Sequence, residues 1–487
     1  MLKRAFSFLV GTERAVAADY ERWSRAQLID RIRELERGCS GESVEKHTTS
    51  NTSSGETIPN KDSVCVSSKS EGTTVATSTG TDTTKTTNTS STVTTSTTKG
   101  TKKPFNITDH NRRFIALRFA YTGWNYNGLA FQNEPTPLPT VEEVILKALA
   151  TAKLIAAPEP HCCGFSRCGR TDKGVSALNQ VISLKVRSRL STEEQQLASN
   201  DSKEIPYVTV LNTLLPTDIR VTAVCLRPPE GFDARFSCDH RHYKYVFRHH
   251  PDLDLDLMRQ AALKFEGGHD FRNFCKIDGS KQITNYRRQV ISAQILPLKK
   301  NSNESGKQID DFYVFDLKGS AFLWHQVRCM MAILFLVGQK LESPEIIDKL
   351  LDVTQVTGRP VYEMADDLPL VLYDCVFPEM EWLPGVDMSK GAKLVRDNAD
   401  VMGLLTEVQI KAIVSDMLAT VATFDETKIT NLDGCGAVNI GDGRGRNYKK
   451  YTNVLARERL AGYEEVNAKH REKKRRRLER AETESAQ

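Results

Sequence analysis

Cys168-Gly169-Arg170-Thr171-Asp172-Lys173-Gly174-Val175 sets two cations and one carboxylate in a short loop with a glycine near each end, ahead of the apolar run Val181–Val186, which reads as a strand. The glycines permit tight backbone geometry. Taken by itself, the loop reads as a turn closed by a surface ion pair. Upstream, Arg112–Tyr121 alternates, with Ile115, Leu117, Phe119 and Tyr121 on one face, and ends at Thr122-Gly123: a strand and its turn. Thr140 followed by Glu143 is a capping-box pattern that opens a helix carrying Val141, Val144, Ile145, Ala148 and Leu149. Downstream, Tyr243, Tyr245 and Phe247 alternate against His242, Lys244 and Val246 in a strand over Arg241–Arg248. Phe312–Leu317 is a further strand, leading into a helix that holds Val327, Met331, Leu334 and Val337. Ser343 before Pro344 predicts another helix start, since proline suits the first helical position. Strands and helices mixed without a strict alternating period predict an α+β domain.

Outside this centre the chain changes character. Tyr20–Arg37 reads as a helix, with Trp23, Leu28, Ile29, Ile32 and Leu35 at helical spacing. From about Ser40 to Lys103 a Ser/Thr-rich tract lacks the apolar residues that could offset its ordering entropy, which predicts a disordered linker. Met1–Ala18 carries Lys3, Arg4 and Arg14 against Glu13, a weak presequence pattern or an ordinary frayed terminus. Near the other end, Arg471-Glu472-Lys473-Lys474-Arg475-Arg476-Arg477 reads as a nuclear signal, an RNA-contacting arm or a solvated helix. Lys102, Lys103, Arg112, Arg113, Arg287, Arg288, Lys449 and Lys450 are candidate phosphate contacts or solvated charges.

The 487 residues, 39% hydrophobic and 26% charged, suffice for two or three domains, and the net charge of +5 is modest, so the local placement of charge decides what partner is met. The eleven cysteines are scattered; Cys162, Cys163 and Cys168 lack the paired spacing that closes a zinc site, and a reduced protein without a structural metal is expected. No apolar run approaches the roughly 20 residues that span a bilayer, and Ala332–Val337 reads as core helix.

The segment Arg170-Thr171-Asp172-Lys173-Gly174-Val175-Ser176-Ala177, continuing to Gln180-Val181, resembles the catalytic motif of the TruA family of pseudouridine synthases. Four more blocks resemble that family in its order: Tyr121-Thr122-Gly123-Trp124-Asn125-Tyr126-Asn127-Gly128; Phe232-Asp233-Ala234-Arg235-Phe236-Ser237 with Arg241-His242-Tyr243-Lys244-Tyr245; Phe322-Leu323-Trp324-His325-Gln326-Val327-Arg328; and Leu368-Pro369-Leu370-Val371-Leu372. The Gly-Trp of the first block, the Val-Ser-Ala after the loop and the Arg-Ile-Arg-Glu-Leu-Glu helix are most similar to the eukaryotic branch that modifies tRNA positions 38 and 39.

The resemblance implies a core over 105–383, in two ferredoxin-like α+β halves of about 105–235 and 236–383, joined in one continuous mixed sheet with a central cleft. An N-terminal helix (1–40), a linker (41–104) and a C-terminal extension with a basic tail (384–487) complete the expected organisation. It implies Asp172 as nucleophile, Arg328 as its ion-pair partner, Tyr243 stacked on the uracil and helping to remove the C5 proton, Leu370 excluding water, and Arg170 entering the RNA where the base leaves. An arginine in contact lowers a carboxylate pKa by about 1 to 3 units, so Asp172 is expected to stay ionised. No cofactor, metal or membrane is implied; tRNA is the expected partner, with a homodimer left open, in nucleus and cytoplasm or in mitochondria. Two other readings stand beside this one: a synthase acting on other tRNA or mRNA uridines, and a tRNA-binding protein that has lost turnover. The presence of Asp172, Tyr243 and Arg328 speaks against the latter.

Overall fold

The computed structural model describes residues 106–299, 308–384, 391–421, 436–448 and 450–485. The helix expected over Tyr20–Arg37, the start of the chain, the Ser/Thr-rich tract, and Lys102, Lys103 and Lys449 lie outside them.

Along the chain run β1 (Arg112–Tyr121), α1 (Val141–Thr151), β2 (Ser166–Arg167), β3 (Ser176–Arg187), α2 (Tyr207–Leu214) and β4 (Ile219–Cys225). There follow β5 (His240–Arg248), α3 (Leu255–Leu263), β6 (Gly267–Asp270), β7 (Arg287–Lys299), β8 (Gln308–Gly319), α4 (Gln326–Gly338), α5 (Ile346–Leu351), β9 (Leu370–Val376) and β10 (Leu383–Pro384). Last come α6 (Gly391–Val421), β11 (Gly436–Val438), β12 (Arg446–Tyr448) and α7 (Tyr463–Ser485).

Ten strands form one sheet in the order β10-β4-β1-β3-β9-β5-β8-β7-β6, with β2 on β3. The early strands and the later ones meet at β3 and β9, where Ser176 faces Val371 and Ala177 faces Leu372 in the sheet's one parallel pairing among the described residues. β1 is central to the first group, flanked by β3 and β4. Ile115, Ala116, Leu117 and Phe119 are fully buried, so the strand is covered on both faces at that stretch. Burying each large apolar side chain there contributes about 1.5–3 kcal/mol.

α1 begins as its residues demand: Thr140 Oγ1 accepts from the Glu143 N–H at 3.2 Å, and the Glu143 carboxylate accepts from the Thr140 N–H at 3.5 Å. In α4 every residue except Arg328 is buried. A helix apolar all round belongs to the core, and its one exception is a candidate site residue. The helix expected at Ser343-Pro344 starts two residues late. The Ser343 and Pro344 carbonyls accept from Ile346 and Ile347, so the proline sits in a tight turn before α5. Beyond Pro384 the apolar pattern thins, yet single side chains still reach the core: Val438, Ile440 and Val454 are buried, and the Tyr245 hydroxyl donates to the Ile440 carbonyl at 3.3 Å. No helix among the described residues is long and apolar enough to cross a membrane.

Candidate active site

The loop after β2 is laid on a bed made by the turn after β1. The Tyr121 hydroxyl and Thr171 Oγ1 are 2.7 Å apart, the Leu129 N–H donates to the Thr171 carbonyl at 3.2 Å, and the Gly123 N–H donates to Ser176 Oγ at 3.0 Å. The fit leaves no space: a Cβ on Gly123 would stand 2.1 Å from the Val175 carbonyl oxygen. Within the loop Gly174 adopts φ +81°, a conformation open to glycine, and lets the Val175 N–H reach the Asp172 carbonyl at 3.2 Å before β3 begins. Arg241 ties the loop's start to the other half of the sheet, donating to the Cys168 carbonyl at 3.0 Å and to the Ser320 carbonyl at 2.7 Å.

Asp172 thereby stands at the seam, its side chain 27% exposed to a cleft of about 1010 Å³. One carboxylate oxygen, Oδ1, accepts from the Trp324 indole N–H at 3.1 Å; the other, Oδ2, lies 3.5 Å from His325 Nε2. The ion pair expected between Asp172 and Arg328 is not made. Arg328 donates from Nε to the Ala365 carbonyl at 2.8 Å and pairs with Asp367 Oδ2 at 3.4 Å. Its charge still favours an ionised Asp172, as do the Trp324 hydrogen bond and Lys276, but burial outweighs them and the nearby Asp367 adds to it, so the Asp172 carboxyl lies above the usual carboxylate range. That corrects the expectation of a lowered value: the guanidinium that would have lowered it is already engaged by a second carboxylate.

His325 carries no positive charge at neutral pH, because burial, aided by Arg328 and Lys276, pushes it down to about 4. It sits at φ +62° immediately before α4, and its Nδ1 is buried with no hydrogen-bond partner among the described residues. Tyr243, on β5, is 8% exposed and lines the cleft with its ring edge-on to Phe322 at 5.0 Å. Burial pushes its hydroxyl far above the ordinary tyrosine range, so it is a neutral phenol. Leu370 opens β9 opposite Tyr245, is 4% exposed and lines the same cleft. Arg170 is exposed at its edge. The structure thus brings Asp172, Tyr243, Arg328, Leu370 and Arg170 to one cleft from four separate segments, Arg170 and Asp172 sharing the loop after β2.

Sequence reasoning missed three residues here. Trp324 and His325 precede Arg328 in the same block, and Asp367 precedes Leu370; their adjacency to noted positions was the available signal. Of the suggested phosphate contacts, Arg113 is excluded. It points inward, donating to Glu204 at 3.2 Å and to the Leu226 carbonyl at 2.8 Å. Arg288 lines the cleft. One surface group, Glu159, His161 and Cys162, places three donor atoms within 4.8 Å of one another.

A family model described as tRNA pseudouridine synthase matches residues 261–378. Over 377 residues the chain is 55% identical to the tRNA pseudouridine(38/39) synthase of Saccharomyces cerevisiae, a match covering 77% of this chain and 81% of that protein. It is 44% identical over 292 residues to the human protein of the same name, covering 58% and 59%. With tRNA pseudouridine synthase A of Methanothrix thermoacetophila it shares 34% identity over 268 residues, covering 55% and 85%.

Proposed function

From the premise that this chain belongs to the tRNA pseudouridine synthase family and is an isomerase, we propose that it converts uridine to pseudouridine at positions 38 and 39 of the tRNA anticodon stem-loop, with Asp172 as nucleophile. The observation that carries the reading is the carboxylate of Asp172 at the seam of the sheet, facing a cleft that Tyr243 and Leu370 enter from the opposite half.

The reaction breaks the bond between ribose C1′ and uracil N1, turns the base, joins C1′ to C5, removes the C5 proton and leaves N1 protonated, so that substrate and product are isomers. A nucleophile must be ionised and aimed. Trp324 and the offset charge of Arg328 favour the ionised form, and the hydrogen bond to one oxygen sets the plane of the carboxylate. The Tyr243 ring offers the turning base an apolar support. Because its phenol is neutral, it can pass the C5 proton on only while giving up its own; the Asp172 carboxylate, once released from the sugar, can take that proton and give it up to solvent, while N1 gains one, so the enzyme returns to its starting state. Leu370 keeps water from the detached base. A stem uridine must first be extruded, at a cost of a few kcal/mol, and Arg170 can recover part of that by stacking or by binding phosphate in the vacated space.

The test is direct. Purified protein with an unmodified tRNA transcript is expected to form pseudouridine at both positions in the presence of a chelator and without added cofactor, and Asp172→Ala is expected to abolish product while tRNA still binds. Product that survives the substitution defeats the mechanism; product confined to other uridines defeats the site assignment.

A further inference from the structure

The basic tail is built as a sorted helix. α7 docks through its first turns: the Asn467 amide donates to the Ile283 carbonyl at 3.0 Å, Gln282 donates to the Asn467 carbonyl at 3.2 Å, and the Tyr463 ring meets Tyr286 at 5.2 Å. Gly279 makes the approach possible, since a Cβ there would lie 2.8 Å from the Val466 carbonyl and 3.1 Å from the His470 side chain. The segment it docks on is a wall of the cleft: Lys276, Lys281, Ile283 and Tyr286 all line it.

Past Arg471, whose guanidinium donates to Gln282 at 2.6 Å, the helix runs on to Ser485, which at about 1.5 Å per residue carries it roughly 21 Å beyond its docked turns. Its cations divide into two sets. Arg475 and Arg476 are engaged by Glu472, and Arg475 also by Glu479. Lys473, Lys474, Arg477 and Arg480 have no hydrogen-bond or ion-pair partner among the described residues. At about 100° per residue, all four of these fall within roughly 80° of His470, on the side that docks, whereas Glu472 and Glu479 lie about 160–180° away. The face that meets protein for two turns therefore continues as a mainly cationic face, with Glu484 its one acid near the end and no described residue under it, turned to the side on which the cleft wall lies. A solvated helix gains from interspersed charge and has no reason to segregate it this way. A transport signal needs charge density but no docked, one-sided helix.

We infer that Lys473, Lys474, Arg477 and Arg480 form a second RNA-contact surface that binds the phosphate backbone of the substrate tRNA outside the anticodon arm held in the cleft. The inference rests on the proposed tRNA substrate. Four such contacts release condensed counterions, so binding of whole tRNA gains affinity and salt dependence together.

The experiment compares the full-length protein with its Lys473→Gln/Lys474→Gln/Arg477→Gln/Arg480→Gln variant on two RNAs, a whole tRNA transcript and its isolated anticodon stem-loop. Glutamine keeps helix propensity and removes charge. For whole tRNA, KM is expected to rise about ten-fold at physiological salt, and the slope of log affinity against log salt to flatten by about one for each phosphate no longer neutralised. The stem-loop KM stays in place. An unchanged KM and slope on whole tRNA overturns the inference and leaves the tail as a transport signal or solvated helix. An equal rise on both RNAs overturns it too, placing the charges at the cleft. Absence of product from the unsubstituted protein on either RNA would instead count against the proposed function, and filter binding of the two proteins to whole tRNA would still decide the role of the tail.

Discussion

Replacing Trp324 by phenylalanine removes one hydrogen-bond donor from Asp172 and little else. The indole N–H reaches Oδ1 at 3.1 Å, while the ring also packs on His325 at 4.7 Å and under the Lys276 ammonium at 4.6 Å, contacts that a phenyl ring largely keeps. A hydrogen bond to a charged acceptor contributes about 1.5–3 kcal/mol. Because Trp324 is 42% exposed, solvent screens the interaction and the lower end applies, about 1.5 kcal/mol, or about one pKa unit. The bond favours the ionised carboxylate, so its loss makes ionisation harder. The acid limb of the single-turnover rate of pseudouridine formation is therefore expected to move up by about one pH unit, with a smaller fall on the alkaline plateau. An acid limb that stays in place or moves down refutes the assignment of Trp324 as a group that favours the ionised Asp172.

Two further outcomes follow from the same geometry. Asp172→Asn is expected to stabilise the protein at neutral pH: the folded-state carboxyl is raised above its unfolded value, so its stability contribution is fully present below the unfolded pKa and lost as pH rises through the folded one. Denaturation midpoints of the two proteins should converge in acid, and a variant less stable than the parent at neutral pH contradicts the sign. Arg170→Ala, at an exposed position, should leave stability within about 0.5 kcal/mol but slow turnover on a paired target uridine, and a mismatch opposite that uridine should restore much of the rate, because extrusion then costs less. Equal loss on paired and mismatched RNA argues against a role in extrusion.

What was legible in the sequence was local. The alternation of β1 and β5 and the capping box of α1 are decided within a few residues, and the structure places them where the pattern does. What was not legible depended on partners far along the chain. Arg113 resembles any surface cation until Glu204, 91 residues away, closes on it inside the fold. Arg328 was recognisable as a site residue, but which carboxylate it meets is decided by the approach of the segment before β9, and that approach leaves no mark on the residues around Arg328. His325 carried no signal of its own in the sequence, because nothing in its neighbours along the chain tells that its ring faces Asp172. The buried residues after Pro384 are isolated side chains inserted into a core made elsewhere, so they carry no periodicity to read.

The engagement of Arg328 by Asp367 bears on how the site can work. A carboxylate paired directly with a guanidinium would be firmly ionised, but its lone pairs would be occupied and it would be a poor nucleophile. Asp172 avoids that arrangement: one oxygen accepts from the indole, and the other faces only a neutral imidazole at 3.5 Å, leaving it open to the cleft. The cation acts at one remove, and its distance is fixed by the loop that carries Asp172. A Cβ on Gly174 would lie 2.5 Å from Asp367 Oδ1, and the Leu370 N–H donates to the Asp367 carbonyl at 3.1 Å, so the turn after Asp172, the carboxylate that holds Arg328 and the first residue of β9 are locked together at the parallel seam of β3 and β9. For Asp172 as the proposed nucleophile, the two halves of the sheet join where that role needs them rigid, because a carboxylate tuned by offset charge keeps its reactivity only if that offset is held constant.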